Sequence, residues 1–233
     1  CYYWIFGGLF NFSGNLSYIK EIFSLKFFPF YIVILLFSCN NYTKTLPIYG
    51  RPEIVENKTD NGIIYDTIPH SVEDFQFLNQ DSMIVTNSTF SNSIYIADFF
   101  FTTCPTICPI MKNNMIKVYE KYIDNSKVKY LSHTINPLYD NVEILSRYSE
   151  RLDVDSNIWH FVTGDLDEIY DIAKSSYMVT AIEDKNEPGG FLHSGVFLLV
   201  DNNRNIRGVY DGTDVSEVNR LINEIEVLLE TIS

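Results

Sequence analysis

Apolar residues recur along the chain in two patterns, short continuous runs and longer stretches with helical spacing. Continuous runs bounded by polar turns are typical of buried strands, and apolar residues at steps of three and four indicate amphipathic helices. The predicted strands cover 94–101, 127–131, 158–162, 196–200 and 205–210. The predicted helices cover about 109–124 and about 214–231, with two more opening at Asp140 and Asp165. This alternation predicts an α/β fold with parallel strands.

The order of these elements predicts a thioredoxin-like fold, in which helices flank a central mixed sheet. A parallel β-α-β unit comes first, the last two strands form a hairpin around the turn at 201–203, and a final helix follows. An inserted helix and strand separate the two halves. An N-terminal hairpin is expected at 75–85, where the polar turn 79–82 lies between two short apolar segments.

The first 38 residues have the features of a signal segment. Residues 27–37 are an apolar run, which is shorter than the roughly 20 residues that cross a membrane but fits a signal-peptide core of roughly 7 to 15. The sequence Leu-Phe-Ser-Cys at 36–39 resembles a bacterial lipobox, which predicts lipidation of Cys39. An uncleaved anchor is the alternative. Both interpretations export the domain to the periplasm and tether it to a membrane.

The domain boundaries follow from composition. Residues 1–19 have no role that the sequence assigns. Residues 39–66 are rich in Asn, Thr, Lys and Pro, with little periodicity, and are expected to form a linker that is extended at its prolines. The thioredoxin-like domain is expected at 67–233.

The composition limits the classes of partner. The chain is 46% hydrophobic, which is enough for a packed core. Its 17 Lys and Arg residues against 30 Asp and Glu residues give a formal charge of −13. This charge argues against nucleic-acid binding, which requires basic surface to neutralise phosphates.

The cysteine positions single out one candidate site. Cys1 and Cys39 lie in or at the end of the segment that is expected to be processed, so the folded domain carries only Cys104 and Cys108. One close pair cannot form the disulfide framework of a small secreted domain. The pair is therefore a metal site, a redox pair or a single disulfide staple.

The spacing of these two thiols suits soft-metal chemistry. At i and i+4 on a helical turn, Cys104 and Cys108 share one face. The unpaired amides of the helix N-terminus favour thiolates, and thiolates select copper(I), zinc or iron–sulfur centres. Two thiolates require one or two further ligands.

Four histidines are candidates for the further ligand. His70 lies in the approach segment, and His160 lies inside a strand pattern that is typical of a core histidine. His193 is favoured over His133, because the thioredoxin plan brings the loop before 196–200 over the helix that carries the cysteines. His133, at the carboxyl end of a parallel strand, stays the alternative.

Three other residues near the cysteines have a structural interpretation. The helical spacing of Met111 and Met115 indicates core positions rather than copper ligands. Asp98 interrupts an apolar strand. It is expected to be a satisfied structural carboxylate, and the alternatives are that it points at the dithiol end of the strand or pairs with a buried cation.

The motifs resemble those of the Sco/SenC copper chaperones. Residues 99–109, Phe-Phe-Phe-Thr-Thr-Cys-Pro-Thr-Ile-Cys-Pro, resemble the metal loop of that family, and His193-Ser194 before an apolar strand resembles its distal histidine motif. Further matching segments are 136–140, Gly164-Asp165 and Ala173-Lys174. The resemblance covers about 66–230.

The resemblance implies a function and a ligand set. Cys104, Cys108 and His193 would bind one copper ion, copper(I) with copper(II) left open, and pass it to the dinuclear copper centre of cytochrome c oxidase. Departures from the family pattern are Thr106, Asn136 and Leu192. They leave the three ligands intact.

A thiol–disulfide reductase that keeps the cysteines of a copper acceptor reduced is the alternative function. In it Cys104 is the attacking thiol and Cys108 the resolving one. The spacer of three residues argues against this as the main role. A structural disulfide in an exported binding domain is a third interpretation.

Overall fold

A computed structural model describes residues 45–59, 62–184 and 189–232. The strands are β1 (Glu53–Thr59), β2 (Gly62–Ile68), β3 (Gln76–Asn79), β4 (Ile84–Thr86), β5 (Ile94–Phe100), β6 (Val128–Thr134), β7 (Trp159–Thr163), β8 (Ala181–Glu183), β9 (Phe191–His193), β10 (Val196–Val200) and β11 (Ile206–Asp211). The α-helices are α1 (Cys108–Tyr122), α2 (Val142–Leu152), α3 (Leu166–Ser175) and α4 (Val215–Thr231).

Seven strands form the central sheet in the order β11-β10-β5-β6-β7-β3-β4. β5, β6 and β7 are parallel, whereas β10 pairs antiparallel with both β5 and β11, and β3 pairs antiparallel with both β4 and β7. This confirms the predicted thioredoxin-like α/β fold with a mixed sheet. The N-terminal hairpin and the inserted helix and strand are present as well.

Local sequence accounts for most of the helix starts. Asp165 caps α3 by accepting hydrogen bonds from two backbone amides of its first turn, and Asp214 caps α4 by accepting from the backbone N–H of Ser216. The prediction that Asp140 caps α2 is wrong, because Asn141 is the N-cap and accepts from the backbone N–H of Ile144 at 3.0 Å. Asp140 is buried, and its carboxylate accepts hydrogen bonds from Thr102 and Thr134 instead.

The segment before the central sheet is more ordered than an extended linker. β1 and β2 form a separate antiparallel hairpin, and nearly all of its residues are exposed. Just before it, the backbone N–H of Tyr49 donates to the carbonyl of Ile206 at 2.8 Å, along the edge of the sheet. Because neither strand of the hairpin has a buried face, its sequence lacks the alternation that reveals other strands.

Candidate metal centre

Two cysteines lie at the carboxyl end of the central strand β5, where the chain enters helix α1. Cys104 lies in the connecting loop, and Cys108 is the first residue of α1. The two cysteines are not joined by a disulfide, and both are buried, with 8% and 3% of the residue surface exposed. Pro109 occupies the first helical turn, where its missing N–H is not needed. The predicted placement of the dithiol at the mouth of a helix is confirmed.

The two thiols are joined by a hydrogen bond. The Cys108 thiol donates a hydrogen bond to the Cys104 sulfur, and this bond together with burial raises the pKa of Cys108 well above its ordinary value. The backbone N–H of Phe101 and the charge of Lys112 act in the opposite direction, but more weakly. The Thr106 hydroxyl lies 3.7 Å from the Cys104 sulfur. A soft cation that displaces this proton meets two sulfurs that already face each other.

Asp140 fixes the loop that leads to the cysteines. Its carboxylate is fully buried and accepts a hydrogen bond from the backbone N–H of Thr102 at 3.0 Å. The hydroxyl of Thr102 and that of Thr134, the latter at 2.6 Å, donate to the same carboxylate. Asp140 therefore joins the end of β6 to the start of the cysteine loop, and its role is positioning rather than helix capping.

A buried ion pair lies under the first turns of α1. The Lys112 ammonium is 2.6 Å from Asp98 and donates to the Ser132 hydroxyl at 3.0 Å. Ser132 in turn donates to Asp98, and the Trp159 indole N–H donates to Ser132 at 2.9 Å. The Lys112 ammonium also lies 4.4 Å from the centre of the Phe100 ring. Asp98 thus has the buried cationic partner that one interpretation of the sequence required.

The segment that leads into β10 passes directly over the cysteine loop. A Cβ at Gly189 would lie 2.9 Å from the Phe101 ring and 3.1 Å from Pro105 Cδ. A Cβ at Gly195 would lie 3.3 Å from Ile107 Cδ1. Both ends of this segment therefore contact the loop that carries the thiols, and β9 lies between them.

His193 is the last residue of β9. β8 and β9 form an antiparallel ribbon in which Ala181 pairs with His193. His193 lies two residues after Phe191 in this strand. The Phe191 ring packs against the Phe101 ring, with their centres 5.0 Å apart. The fold thus brings the backbone of His193 to the cysteine loop.

His133, the alternative ligand, lies on the other face of the sheet from α1. Its partner in the register is Phe99, and the two rings stack with their centres 4.9 Å apart. Lys112 of α1 contacts the neighbouring pair Asp98 and Ser132, and alternation turns Phe99 and His133 away from that helix. His133 is fully buried, neither ring nitrogen has a hydrogen-bond partner among the described residues, and burial lowers its pKa to about 3.

The other two histidines also have positions away from the cysteine loop. His160 is a buried strand residue whose Nδ1 lies 3.3 Å from the Asn79 amide nitrogen, and burial lowers its pKa to about 4. The Nε2–H of His70 donates to the Ser176 carbonyl at 2.7 Å, at the end of α3. Within the described part of the chain, no three His, Cys, Asp or Glu side chains converge as a metal site. The set Cys104, Cys108 and His193 therefore stays a prediction.

Met111 and Met115 are fully buried, which confirms that their helical spacing marks core positions.

Sequence reasoning missed the pairing of Lys112 with Asp98, although a signal for it was present. Lys112 lies on the same helix face as the two methionines, so a lone cation on a buried helix face accompanies a lone carboxylate in a buried strand. Each needs the other, since an unpaired buried charge is costly.

The expected signal segment and the lipidation site Cys39 lie outside the described residues. Among the helices that the structure does describe, none combines the length and apolar character that spanning a bilayer requires.

Comparison with known proteins identifies the family. The model of the SCO1/SenC family matches residues 66–230. A SCO1/SenC family lipoprotein from Bacillus anthracis is 27% identical, with 69% of this chain and 95% of that chain covered and a TM-score of 0.64. BsSco, described with a disulfide switch and as a member of the Sco family of cytochrome c oxidase assembly proteins, is 26% identical, with 68% and 93% covered and a TM-score of 0.61. Arabidopsis thaliana ScoI with copper bound, at 23% identity, 68% and 98% coverage and a TM-score of 0.57, shares the fold. The chain belongs to the SCO1/SenC family.

Proposed function

We propose that this protein binds one copper ion through Cys104, Cys108 and His193 and delivers it to the dinuclear copper site of cytochrome c oxidase. The observation that carries the proposal is the pair of buried thiols that are joined by a hydrogen bond at the mouth of α1. Copper is the cargo of the protein in this proposal. The BsSco description supports the client, and the copper-bound Arabidopsis ScoI supports the metal.

The donor set suits copper(I). Two thiolates and one imidazole are soft or intermediate ligands, and copper(I) accepts such a three-coordinate set. The ligands are thiolates, so binding releases the protons of both thiols, and the affinity rises with pH while the thiols are protonated. Copper then leaves by stepwise ligand exchange, in which thiolates of the acceptor replace Cys104, Cys108 and His193 one at a time.

An anaerobic copper(I) titration of the reduced protein tests the ligand set. The wild type is expected to bind one ion tightly, and His193→Ala is expected to weaken that binding and change its spectrum. His70→Ala is the matched control, because His70 contacts the end of α3 rather than the cysteine loop. Unchanged affinity and spectrum in His193→Ala would remove this residue from the ligand set.

A thiol–disulfide reductase is the second candidate function. It is favoured by the hydrogen bond from Cys108 to Cys104, which holds the proton on Cys108 and leaves the more exposed Cys104 as the nucleophile. Cys104 would attack an acceptor disulfide, Cys108 would resolve the mixed disulfide, and the two thiols would be oxidised as the acceptor disulfide is reduced to two thiols. Reduction of an acceptor peptide that survives His193→Ala but is lost in Cys104→Ser favours this function over copper delivery.

We further propose that the domain is exported and held at a membrane by a lipid on Cys39. The lipobox-like sequence at 36–39 supports this, and so does the lipoprotein from Bacillus anthracis among the similar structures. Metabolic labelling with a fatty acid tests it. Wild-type protein is expected to carry the label and Cys39→Ser to lack it. A labelled N-terminus in the Cys39→Ser variant would contradict the assignment.

A further inference from the structure

Several large apolar side chains are exposed at the end of the sheet that carries the cysteines. Leu138 is 87% exposed, and the others are between 47% and 55% exposed. We call these residues the cysteine-end surface: Ile110, Leu138, Tyr139, Ile182 and Val215. Exposed apolar side chains that gather around a functional site, rather than singly, mark interaction surfaces.

The topology explains why these residues gather at one end. Leu138 and Tyr139 follow β6, which runs parallel to β5, so they lie at the same sheet edge as the cysteine loop. Val215 follows β11, whose last residue pairs with the first residue of the antiparallel strand β10. The start of β10 also lies close to the cysteine loop and to the segment before α4, since a Cβ at Gly195 would lie 3.3 Å from Ile107 and 3.7 Å from Thr213.

The turn that exposes Leu138 is held in place. The backbone N–H groups of Tyr139 and Asp140 both donate to the carbonyl of Asn136, at 3.0 and 2.8 Å. Asp140 is also tied to Thr102 in the cysteine loop. The exposed position of Leu138 is therefore built into the fold, in a fixed relation to the thiols.

Transfer of copper by ligand exchange requires the copper acceptor to contact this surface. Cys104 and Cys108 are buried, so acceptor sulfurs can reach the ion only if the acceptor contacts this end of the sheet closely. Exposed carboxylates of Glu183, Asp211 and Asp214 border the apolar residues. An apolar centre with a charged rim is the arrangement of transient protein interfaces.

We propose that the cysteine-end surface docks the copper acceptor, through an apolar patch of the acceptor that surrounds its thiols and is bordered by basic side chains. This inference rests on the proposed function and adds the surface and the partner chemistry to it. Leu138 and Val215 are its most exposed members, and neither belongs to the ligand set.

The test measures copper(I) transfer from the loaded protein to the reduced, copper-free soluble domain that carries the dinuclear copper site of cytochrome c oxidase from the same organism. In Leu138→Ser/Val215→Ser the second-order rate constant is expected to fall at least about ten-fold, with the copper(I) affinity of the donor unchanged. Met83→Ser/Ile84→Ser is the matched control. Its residues are 64% and 59% exposed at the β3–β4 hairpin, and it is expected to transfer copper at the wild-type rate.

The outcomes separate this inference from the proposed function. If the wild type transfers copper and Leu138→Ser/Val215→Ser transfers it equally fast, the docking surface is wrong and the delivery function stands. If the wild type binds copper but transfers none to the domain, delivery to this client and the docking inference both fall. If transfer is unchanged and the double variant instead shifts a monomer–dimer equilibrium in sedimentation velocity, the surface joins two copies of this chain and the acceptor assignment is overturned.

Discussion

Asp140 and Thr102 connect two loops that are far apart in sequence. The Asp140 carboxylate accepts hydrogen bonds from both the backbone N–H and the hydroxyl of Thr102, two residues before Cys104. Because the carboxylate also accepts from Thr134, it holds the cysteine loop against the end of β6. The position of the thiols thus depends on a residue that belongs to another strand connection.

Asp140→Asn tests this relationship. An amide keeps only one acceptor oxygen, so at least one buried donor loses its partner, and the free energy of unfolding is expected to fall by about 1–3 kcal/mol. Copper(I) affinity is expected to fall as well, because the cysteine loop is less restrained. Urea unfolding and copper(I) titration measure the two effects. Asp124→Asn, at an exposed position, is the control, and equal behaviour of the two variants would show that Asp140 does not position the loop.

The Asp98–Lys112 pair leads to a second prediction, because both charges are almost completely buried. Lys112→Met leaves the Asp98 carboxylate without its cation, and we expect a loss of about 3–5 kcal/mol in the free energy of unfolding. Adding Asp98→Asn to this variant removes the unpaired carboxylate charge, so the double variant is expected to be more stable than Lys112→Met alone. Urea unfolding of the full cycle measures the coupling.

The exposed pair Glu143–Arg147 provides the comparison for that cycle. Its charged groups are 3.2 Å apart and more than half exposed, so Glu143→Gln is expected to change the free energy of unfolding by less than about 1 kcal/mol. Additive effects of Asp98→Asn and Lys112→Met would mean that the two buried charges do not stabilise each other.

The buried histidines predict the pH dependence of stability. Burial lowers the pKa of His133 to about 3 and that of His160 to about 4 in the folded protein, below the ordinary value of 6.5. Below pH 6.5 the unfolded chain takes up protons that the folded protein excludes, so stability is lost as pH falls. Each histidine is expected to contribute a loss of about 2 kcal/mol between pH 7.5 and pH 5.

His133→Phe tests the larger of these two shifts. The ring of His133 packs among Phe75, Phe77, Phe99 and Tyr177, so a phenyl ring suits the same surroundings. The variant is expected to lose less stability than the wild type between pH 7.5 and pH 5, as followed by urea unfolding. A profile with the wild-type slope, or a His133 NMR signal that titrates near pH 6.5, would contradict the buried neutral state.

The sequence carried most of the information about the strands and helices, because their burial is periodic. The apolar run at 94–101 became β5, α3 starts after Asp165 as predicted, and α4 at Val215–Thr231 agrees with the helix predicted at about 214–231. The β1–β2 hairpin escaped prediction for the opposite reason. Its strands are exposed on both faces, so backbone pairing alone defines them and leaves no pattern in the side chains.

The site was less predictable, because its support comes from contacts between distant segments. The placement of Cys104 and Cys108 follows from local sequence, a strand followed by a proline-containing helix start. The role of Asp140 does not, since its spacing to Glu143 equally fits a helix cap, and only the tertiary fold brings Thr102 and Thr134 to it. The ion pair of Lys112 was not predicted for the same reason, because its partner Asp98 lies in a different element.

Two adjacent glycines near the candidate metal centre differ in one respect. Gly189 and Gly190 have φ values of +92° and +87°, so an alanine at either position adopts a strained backbone conformation. A Cβ at Gly189 would lie 2.9 Å from the Phe101 ring, whereas a Cβ at Gly190 would meet no atom of the described residues within 4 Å. The pair therefore separates backbone strain from contact with the cysteine loop.

Gly189→Ala is expected to weaken copper(I) binding about ten-fold, while Gly190→Ala changes it by less than about three-fold. Both variants carry the strain of a positive φ, but only the Gly189 methyl group pushes the segment before β10, with His193 in it, away from Phe101 and Pro105. Competition titration against a copper(I) chelator measures both affinities, and urea unfolding shows whether the two variants lose similar stability. Equal copper affinities in the two variants would mean that close packing of this segment on the cysteine loop is not needed to bind the ion.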